Sequence, residues 1–393
     1  MRFRPKTAND KTGGENMKRN LNLALVSILA LCLAAGCSRT NEKQETTAPA
    51  AAQTPTESAA EGEGGGLKLS GRHWKIGGQV RQTSLYLYYA RDLGLFEEAG
   101  LDVEIVTLAN GPALNEALNA GEIDAAANGM AAVYVLPTEN FYYVGDATIN
   151  FGGQSLYART DSEVVKAGVY QDTGYYGSPE TVKGTTILGL GAGPQQYIAF
   201  AYAEAMGLSA DEIEFVAMDH AQAYEAFITG QGDLLGTTPP YSNTLESDPA
   251  YTLVADYTDL AGGPLVDSFI VGKELADQYP DDVVAILNCV YEAMDRLATD
   301  DGARGEYAMK LYKDEGGTNY SEEDMASEIK NVTFWTWENL ENPAYPYGNT
   351  MKVMGNFLMT QGLIEDDAMP RIEAALNHSF IDRLLEYRAG LEK

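Results

Sequence analysis

Thr185-Thr-Ile-Leu-Gly-Leu-Gly-Ala-Gly-Pro194 runs on into Gln-Gln-Tyr-Ile-Ala-Phe-Ala-Tyr-Ala-Glu-Ala-Met-Gly-Leu208. A β-branched start gives way to Gly189, Gly191 and Gly193, then to Pro194 and an Ala-rich segment with helical apolar spacing. That order reads as strand, tight loop, helix, with Pro194 at the first helical position, where its missing N–H costs nothing. A helix N-terminus behind a glycine loop presents backbone N–H groups and the positive end of the helix dipole. Two readings stay open from this stretch alone. It is a plain βα turn, or it is a loop that grips an anionic or polar ligand through Gly191, Gly193 and the N–H groups of Gln195 and Gln196. A dinucleotide fingerprint is excluded, because its third glycine would fall on Pro194, although Asp219 does end the next strand. No GxxxxGK[ST] phosphate loop occurs.

Outward from this stretch the pattern repeats. Glu116-Ala117-x-x-x-Gly121-x-x-Asp124 has the spacing of Glu225-Ala226-x-x-x-Gly230-x-x-Asp233, and each is preceded by a Gly-Leu pair, Gly100-Leu101 and Gly207-Leu208. Both copies sit between a predicted helix and a predicted strand, which points to two similar α/β lobes. In the first, strands are expected over 74–79, 100–107 and 123–127, with helices over 84–96 and 112–119. Ser84 is a candidate N-cap. Strands separated by helices of this length signal parallel sheets. Residues 141–160 read as strand, turn and strand around Asn150-Phe-Gly-Gly-Gln154, and 265–271 as a strand returning to the first lobe. Helices follow over 283–297, 303–312, 322–329, 351–361 and 370–391. The aromatic run Phe334-Trp-Thr-Trp337, with Tyr345 and Tyr347, interrupts them and either borders a cleft or packs against a lobe.

The chain has 393 residues, 45% apolar, and a formal net charge of −30. It can bury a large core, more readily as two lobes than one. So acidic a surface argues against nucleic acid and anionic membranes as partners. Near the start, Met17-Lys-Arg-Asn20 and the apolar stretch 21–35 form an export signal too short to remain a spanning helix. Small residues then precede Cys37, as in a bacterial lipobox, although its usual Leu is here Ala34. Residues 1–36 are therefore expected to be a lipoprotein signal starting at Met17, and Cys37 the lipidated residue. The Thr-, Glu-, Ala- and Gly-rich stretch that follows cannot offset its ordering entropy, so 37–72 is expected to be a tether. Of three cysteines only Cys289 lies in the body, in an apolar helical pattern, so neither a disulfide framework nor a Cys/His metal site is expected.

Three stretches carry a family resemblance. They are Ser84-Leu-Tyr-Leu-Tyr-Tyr-Ala-Arg-Asp-Leu-Gly-Leu-Phe-Glu-Glu-Ala-Gly-Leu-Asp-Val-Glu104, Ala117-Leu-Asn-Ala-Gly-Glu-Ile-Asp124, and Val271-Gly-Lys-Glu-Leu-Ala-Asp-Gln-Tyr-Pro-Asp281. In that order they resemble the substrate-binding proteins of ABC importers that hold sulfonates, taurine, nitrate and thiamine precursors. The resemblance spans about residues 74–298, with a weaker echo in 356–380. It implies a two-lobed, type II periplasmic-binding-protein-like fold, each lobe a mostly parallel α/β sheet flanked by helices. Lobe I would comprise 73–160 and 265–298, lobe II 161–264, and a helical region 299–393 would pack on lobe I. It further implies capture of a small organic solute between the lobes, an ABC permease and ATPase as partners, and a monomer. Membrane attachment would be through the lipid alone, with no catalysis, cofactor or metal.

Open parallel sheets bind ligands at the carboxyl ends of their strands. The candidate contacts are therefore Gln79, Arg81, Gln82, Ser84, Tyr86, Asn110, Gly111, Asn128, Gly129, Met130, Gly153 and Gln154 in the first lobe. In the second they are the glycine loop with Asp219, His220, Thr238 and Tyr241. Arg81, the single permanent cation in these loops, suits a sulfonate, carboxylate or phosphate, or is a solvated loop arginine. Tyr86 is placed to stack on a ligand. Asp219 holds an amine or caps a helix. The solute is thus an organic anion or an aromatic heterocycle. Two other functions compete: a surface sensor lipoprotein on the same fold, and the pyrimidine synthase of thiamine biosynthesis, which uses a cysteine-rich motif that this body lacks.

Overall fold

The computed structural model describes residues 66–391; the expected export signal, Cys37 and the expected tether up to residue 65 lie outside the described residues. β1 (His73–Gly78), β2 (Asp102–Thr107) and β3 (Ala125–Asn128) form a parallel trio in the order β2-β1-β3. Trp74 and Ile76 alternate into the core from β1, and all four residues of β3 are buried, as sheet interiors demand. β4 (Phe141–Asn150) completes the first segment of this lobe. β5 (Ser155–Arg159), β6 (Thr186–Gly189), β7 (Glu214–Ala217), β8 (Leu234–Thr237) and β9 (Tyr251–Asp256) make the second sheet, in the order β7-β6-β8-β5-β9. β10 (Leu265–Gly272) returns to the first sheet, and β11 (Val332–Phe334) closes its edge, giving β11-β4-β10-β3-β1-β2.

The sequence repeat has one structural meaning in both lobes. Gly121 and Gly230 take φ of 70° and 99°, the left-handed region that suits glycine where a helix ends. Asp124 then pairs with Lys75, its N–H donating to Lys75 O (2.8 Å) and its Oδ2 accepting from Lys75 N (2.9 Å). Asp233 does the same at Thr186, with distances of 2.7 and 2.8 Å. Each aspartate locks the third strand of a trio to the start of the first.

Four helices begin at the carboxyl ends of strands: α1 (Leu85–Asp92), α2 (Gly111–Ala120), α3 (Pro194–Ala205) and α4 (His220–Ile228). The glycine loop of the opening stretch lets α3 sit directly on its sheet. A Cβ on Gly189 would meet Gln195 Cβ at 3.0 Å, and one on Gly236 would meet the Gln195 carbonyl at 3.2 Å. The left-handed residue of this loop is Ala192 (φ 53°), not a glycine. Further on come α5 (Tyr241–Ser247), α6 (Pro280–Thr299), α7 (Asp301–Asp314), α8 (Glu322–Asn331) and α9 (Asn349–Thr360). Cys289 is buried on α6, where burial pushes its thiol up to about 12.

Four expectations change. The Phe151–Gln154 turn is a crossover rather than a hairpin, so lobe II begins with β5 and not at residue 161. The crossover strands enter each sheet antiparallel beyond the trio, so both sheets are mixed. The end of the expected tether is bound to lobe I: Lys68 and Ser70 N–H donate to Asp281 and Asp282, and Arg72 pairs with Asp124 at 2.5 Å. The region after 298 packs on lobe I but also reaches lobe II. Phe357 lies edge-on to Tyr197 (centroids 4.6 Å apart), and Ser327 donates to Asn243 (3.3 Å). The aromatic run packs rather than borders the cleft. Phe334, Trp335 and Trp337 are buried, while Tyr345 and Tyr347 donate to Asp146 and to Tyr143 O.

Candidate functional site

The carboxyl ends of both trios face one cavity of about 80 Å³. At about 10–15 Å³ per water-sized position, it has room for roughly five to eight such atoms. The N-termini of α2, α3 and α4 converge on it through Gly111 and Pro112, Pro194 and Gln195, and His220. Three positive helix ends around one small cavity favour an anionic group there.

Side chains complete the walls. Arg81, after β1, reaches across the cleft and donates from Nη1 to Pro239 O on the second lobe (3.1 Å). Gln154, in the crossover, donates to Thr238 Oγ1 (2.9 Å) and accepts from Gln195 Nε2 (2.8 Å). Asn128, fully buried at the end of β3, donates to Asn115 Oδ1 (2.8 Å). On β10, Asp267 is held through Oδ2 by the Thr148 hydroxyl and by Asn150 Nδ2 (2.9 Å). Burial pushes the Asp267 carboxyl up to about 6, against the lowering by these donors and the Thr83 hydroxyl. Burial, helped by the Arg81 charge, brings the His220 imidazole down to about 3, so it is neutral near pH 7. Its Nδ1 is enclosed without a partner. Behind Arg81, Glu328 on α8 is buried, which pushes its carboxyl up to about 7 against the pull of the Arg81 charge.

Gln79, Arg81, Gly111, Asn128, Gly129, Met130, Gln154, Gly193, Gln195, His220 and Thr238 line the cavity. Arg81 is no solvated loop arginine. Nine other candidates lie elsewhere. Tyr86 is a core residue, fully buried and edge-on to Phe334, so it cannot stack on a ligand. Ser84 stands at the α1 N-cap without a capping bond. Its hydroxyl instead accepts from Gln79 N (3.0 Å) and donates to Ala127 O (3.2 Å). Gln82 turns to Met325, Gln196 accepts from Ala192 N within its own turn, and Tyr241 packs on Tyr224. The Gln196 N–H is taken by Gly193 O, which removes it from the expected ligand contacts. Gly153 abuts Pro239 and Gly191 abuts Ala217. Asn110 caps α2 by accepting from Ala113 N, and its Nδ2 donates to Asp219 Oδ1 across the mouth (3.1 Å). Asp219 thus neither caps α4 nor faces the cavity; it ties the lobes together.

Thr83, Ala192 and Pro194, within two of the expected loops, also line the cavity, whereas the sequence reading missed Pro112, Ala131, Asn150, Leu190, Leu265 and Asp267. One signal for Asp267 was available: it stands between Leu265 and Phe269 on the inward face of β10, a carboxylate in an apolar register.

The sequence profile of the family described as NMT1/THI5 like matches residues 82–301, more than half of the chain, so the protein belongs to that family. A putative ABC transporter periplasmic binding protein of Brachyspira hyodysenteriae is 27% identical over 305 residues, covering 77% of this chain and 87% of its own. The fold matches the alkanesulfonate-binding protein SsuA of Xanthomonas axonopodis pv. citri, solved with MOPS (TM-score 0.59, 17% identity, 78% of this chain and 98% of that one). It also matches the periplasmic nitrate-binding protein NrtA of Synechocystis PCC 6803 (TM-score 0.58, 13% identity, 80% and 88%). The architecture is therefore that of the two-lobed periplasmic binding proteins.

Proposed function

We propose that this member of the NMT1/THI5-like family is the extracytoplasmic solute-binding component of an ABC importer. It captures a small organic solute with an anionic group and delivers it to a permease and ATPase. The convergence of Arg81 with the N-termini of α2, α3 and α4 on a closed cavity between the lobes carries this reading. Release requires the lobes to part, a hinge motion about the crossovers at 151–154 and 257–264. The chemistry asked of the site is modest. Micromolar capture needs about −8 kcal/mol, and hydrogen bonds to a charged group contribute about 1.5–3 kcal/mol each before ordering costs. No bond need be made or broken, so no catalytic role is assigned to the cavity residues. The kinship with ABC transporter binding proteins supports the importer, and the small-residue run before Cys37 supports a lipid anchor.

The test is calorimetric titration of the full chain with short alkyl sulfonates, phosphonates and carboxylates, before and after Arg81→Ala. Binding of at least one anion is expected, weakened roughly 10- to 100-fold by the substitution, as the loss of a charged hydrogen bond implies. Undiminished anion binding by Arg81→Ala would remove Arg81 from the site.

A further inference from the structure

The charge of Arg81 has a buried counterpart outside the cavity wall. Glu328, on α8, is enclosed, and the loop that carries Arg81 is fastened to the same helix, Gln82 Nε2 donating to Met325 Sδ (3.7 Å). α8 is itself held from two sides. Arg304 of α7 donates to Ile329 O (2.8 Å) and Val332 O (3.1 Å) and pairs with Asp301 (3.3 Å). From lobe II, Asn243 of α5 receives Ser327 and donates to Asp324 Oδ1 (3.4 Å).

The groups that face the Glu328 carboxyl are Arg81 and Gln82 from the loop after β1, Arg304 and Tyr312 from α7, and Tyr320 just before α8. Burial raises both phenols above their usual range, so neither ionises near neutrality. The Tyr312 hydroxyl and the Gln82 amide favour the charged carboxyl, yet Oε2 is enclosed without a partner. Burial works most strongly against the carboxylate, and the Arg81 charge does most to support it. An anion seated on Arg81 would cancel that support and repel the carboxylate as well.

We infer that Glu328 is a positioning residue for Arg81 and takes up a proton when an anion binds there, so that capture of the solute carries a proton with it. The inference rests on the anion-binding reading of the cavity and adds its pH dependence. The proton passes from solvent to a carboxylate oxygen, and no bond of the solute changes. Coupling of this kind is reciprocal: an anion that raises the proton affinity of Glu328 about tenfold is itself held about tenfold more tightly once Glu328 is protonated. Glu328 stands at about 7 without an anion, so affinity is highest below pH 7 and falls as pH rises through that value and above it. His220, brought down to about 3, stays neutral throughout; Asp267 in the cavity wall, at about 6, is the rival carrier of the proton.

Ethanesulfonate and propionate are the probes, since neither changes protonation between about pH 6.5 and 9. Each is mixed with the full chain in weakly buffered solution near pH 7.5, where a pH electrode reads proton uptake. Each is also titrated calorimetrically at both ends of that range in amine buffers. Wild type is expected to take up part of a proton, at most one, per bound anion and to lose about tenfold in affinity from pH 6.5 to 9. Glu328→Gln, which keeps the shape and removes the titration, should take up none and bind equally at both pH values. No uptake by wild type, or a flat affinity profile, overturns the inference and leaves the anion site standing. Uptake that survives Glu328→Gln, or that vanishes in Asp267→Asn while the anion still binds, assigns the proton elsewhere and also overturns it. The Asp267→Asn arm decides the matter if Glu328→Gln fails to fold. If neither probe binds, the inference falls, and the proposed function then stands or falls with the phosphonates.

Discussion

Asp146 gives the sharpest test of the interior. Its carboxyl is fully buried beneath the C-terminal segment, accepting from the Tyr143 hydroxyl, from the Tyr345 hydroxyl (2.5 Å) and from Gly348 N (3.3 Å). Burial pushes it from 3.8 up to about 6, while the two phenols, the Gly348 N–H and the charge of Lys352 act to lower it. Because the folded value lies above the unfolded one, the native state holds a proton that the unfolded state has lost between about pH 4 and 6. The stabilisation is therefore fully present below about pH 4 and is lost as pH rises through about 6. A shift of about two units corresponds to about 3 kcal/mol. Asp146→Asn keeps the shape and an acceptor oxygen but removes the titration. Relative to wild type it should gain about 3 kcal/mol between pH 4 and pH 8, or roughly 6 °C in Tm at about 2 °C per kcal/mol. Asp267, Glu328 and His220 titrate in both proteins and cancel in the difference. Scanning calorimetry of the two full chains from pH 4 to 8 measures it. Parallel Tm profiles would refute the assignment of a proton to this buried carboxyl.

Two further outcomes follow from individual contacts. Asp219→Ala removes the tie to Asn110 across the mouth while leaving the Asn110 cap of α2 intact. Solute dissociation should quicken roughly 2- to 10-fold, the worth of one exposed hydrogen bond, as read by stopped-flow fluorescence; an unchanged off-rate would mean the mouth is held elsewhere. Cys37→Ser should move the expressed chain from the membrane to the soluble fraction, and continued membrane association of that variant would remove the lipid anchor.

The parallel trios were legible because helix and strand periods differ, and because one motif, ending in Asp124 and Asp233, occurs twice with the same backbone task. What escaped the sequence was tertiary in origin. A hairpin and a crossover can carry the same Asn-Phe-Gly-Gly-Gln, and only the pairing of β5 with β8 and β9 tells them apart. The cleft loops were placed by strand ends, which brought Arg81, Asn128, Gln154 and His220 together correctly. The same rule included Tyr86 and Ser84, because it does not say which side of a helix start faces inward. It also overlooked Asp267, whose cavity contact lies inside a strand rather than after one.

The family profile ends at residue 301, before α8 and α9 begin. Yet these helices touch both halves of the closed cleft. α8 brings Glu328 behind Arg81 and places Ser327 against Asn243 of α5, while α9 lays Phe357 on Tyr197 of α3. Met354 of α9 also accepts from the Tyr257 hydroxyl at the second crossover (3.7 Å). Opening the lobes must therefore break or carry along contacts made by the C-terminal region as well as those in the cleft. In the proposed function, closure energy is divided between the solute and this region. The anchoring chemistry proposed for the cavity belongs to the two repeated lobes. The ease of opening, and the carboxylate that backs the site's arginine, belong to the segment that the family pattern does not cover.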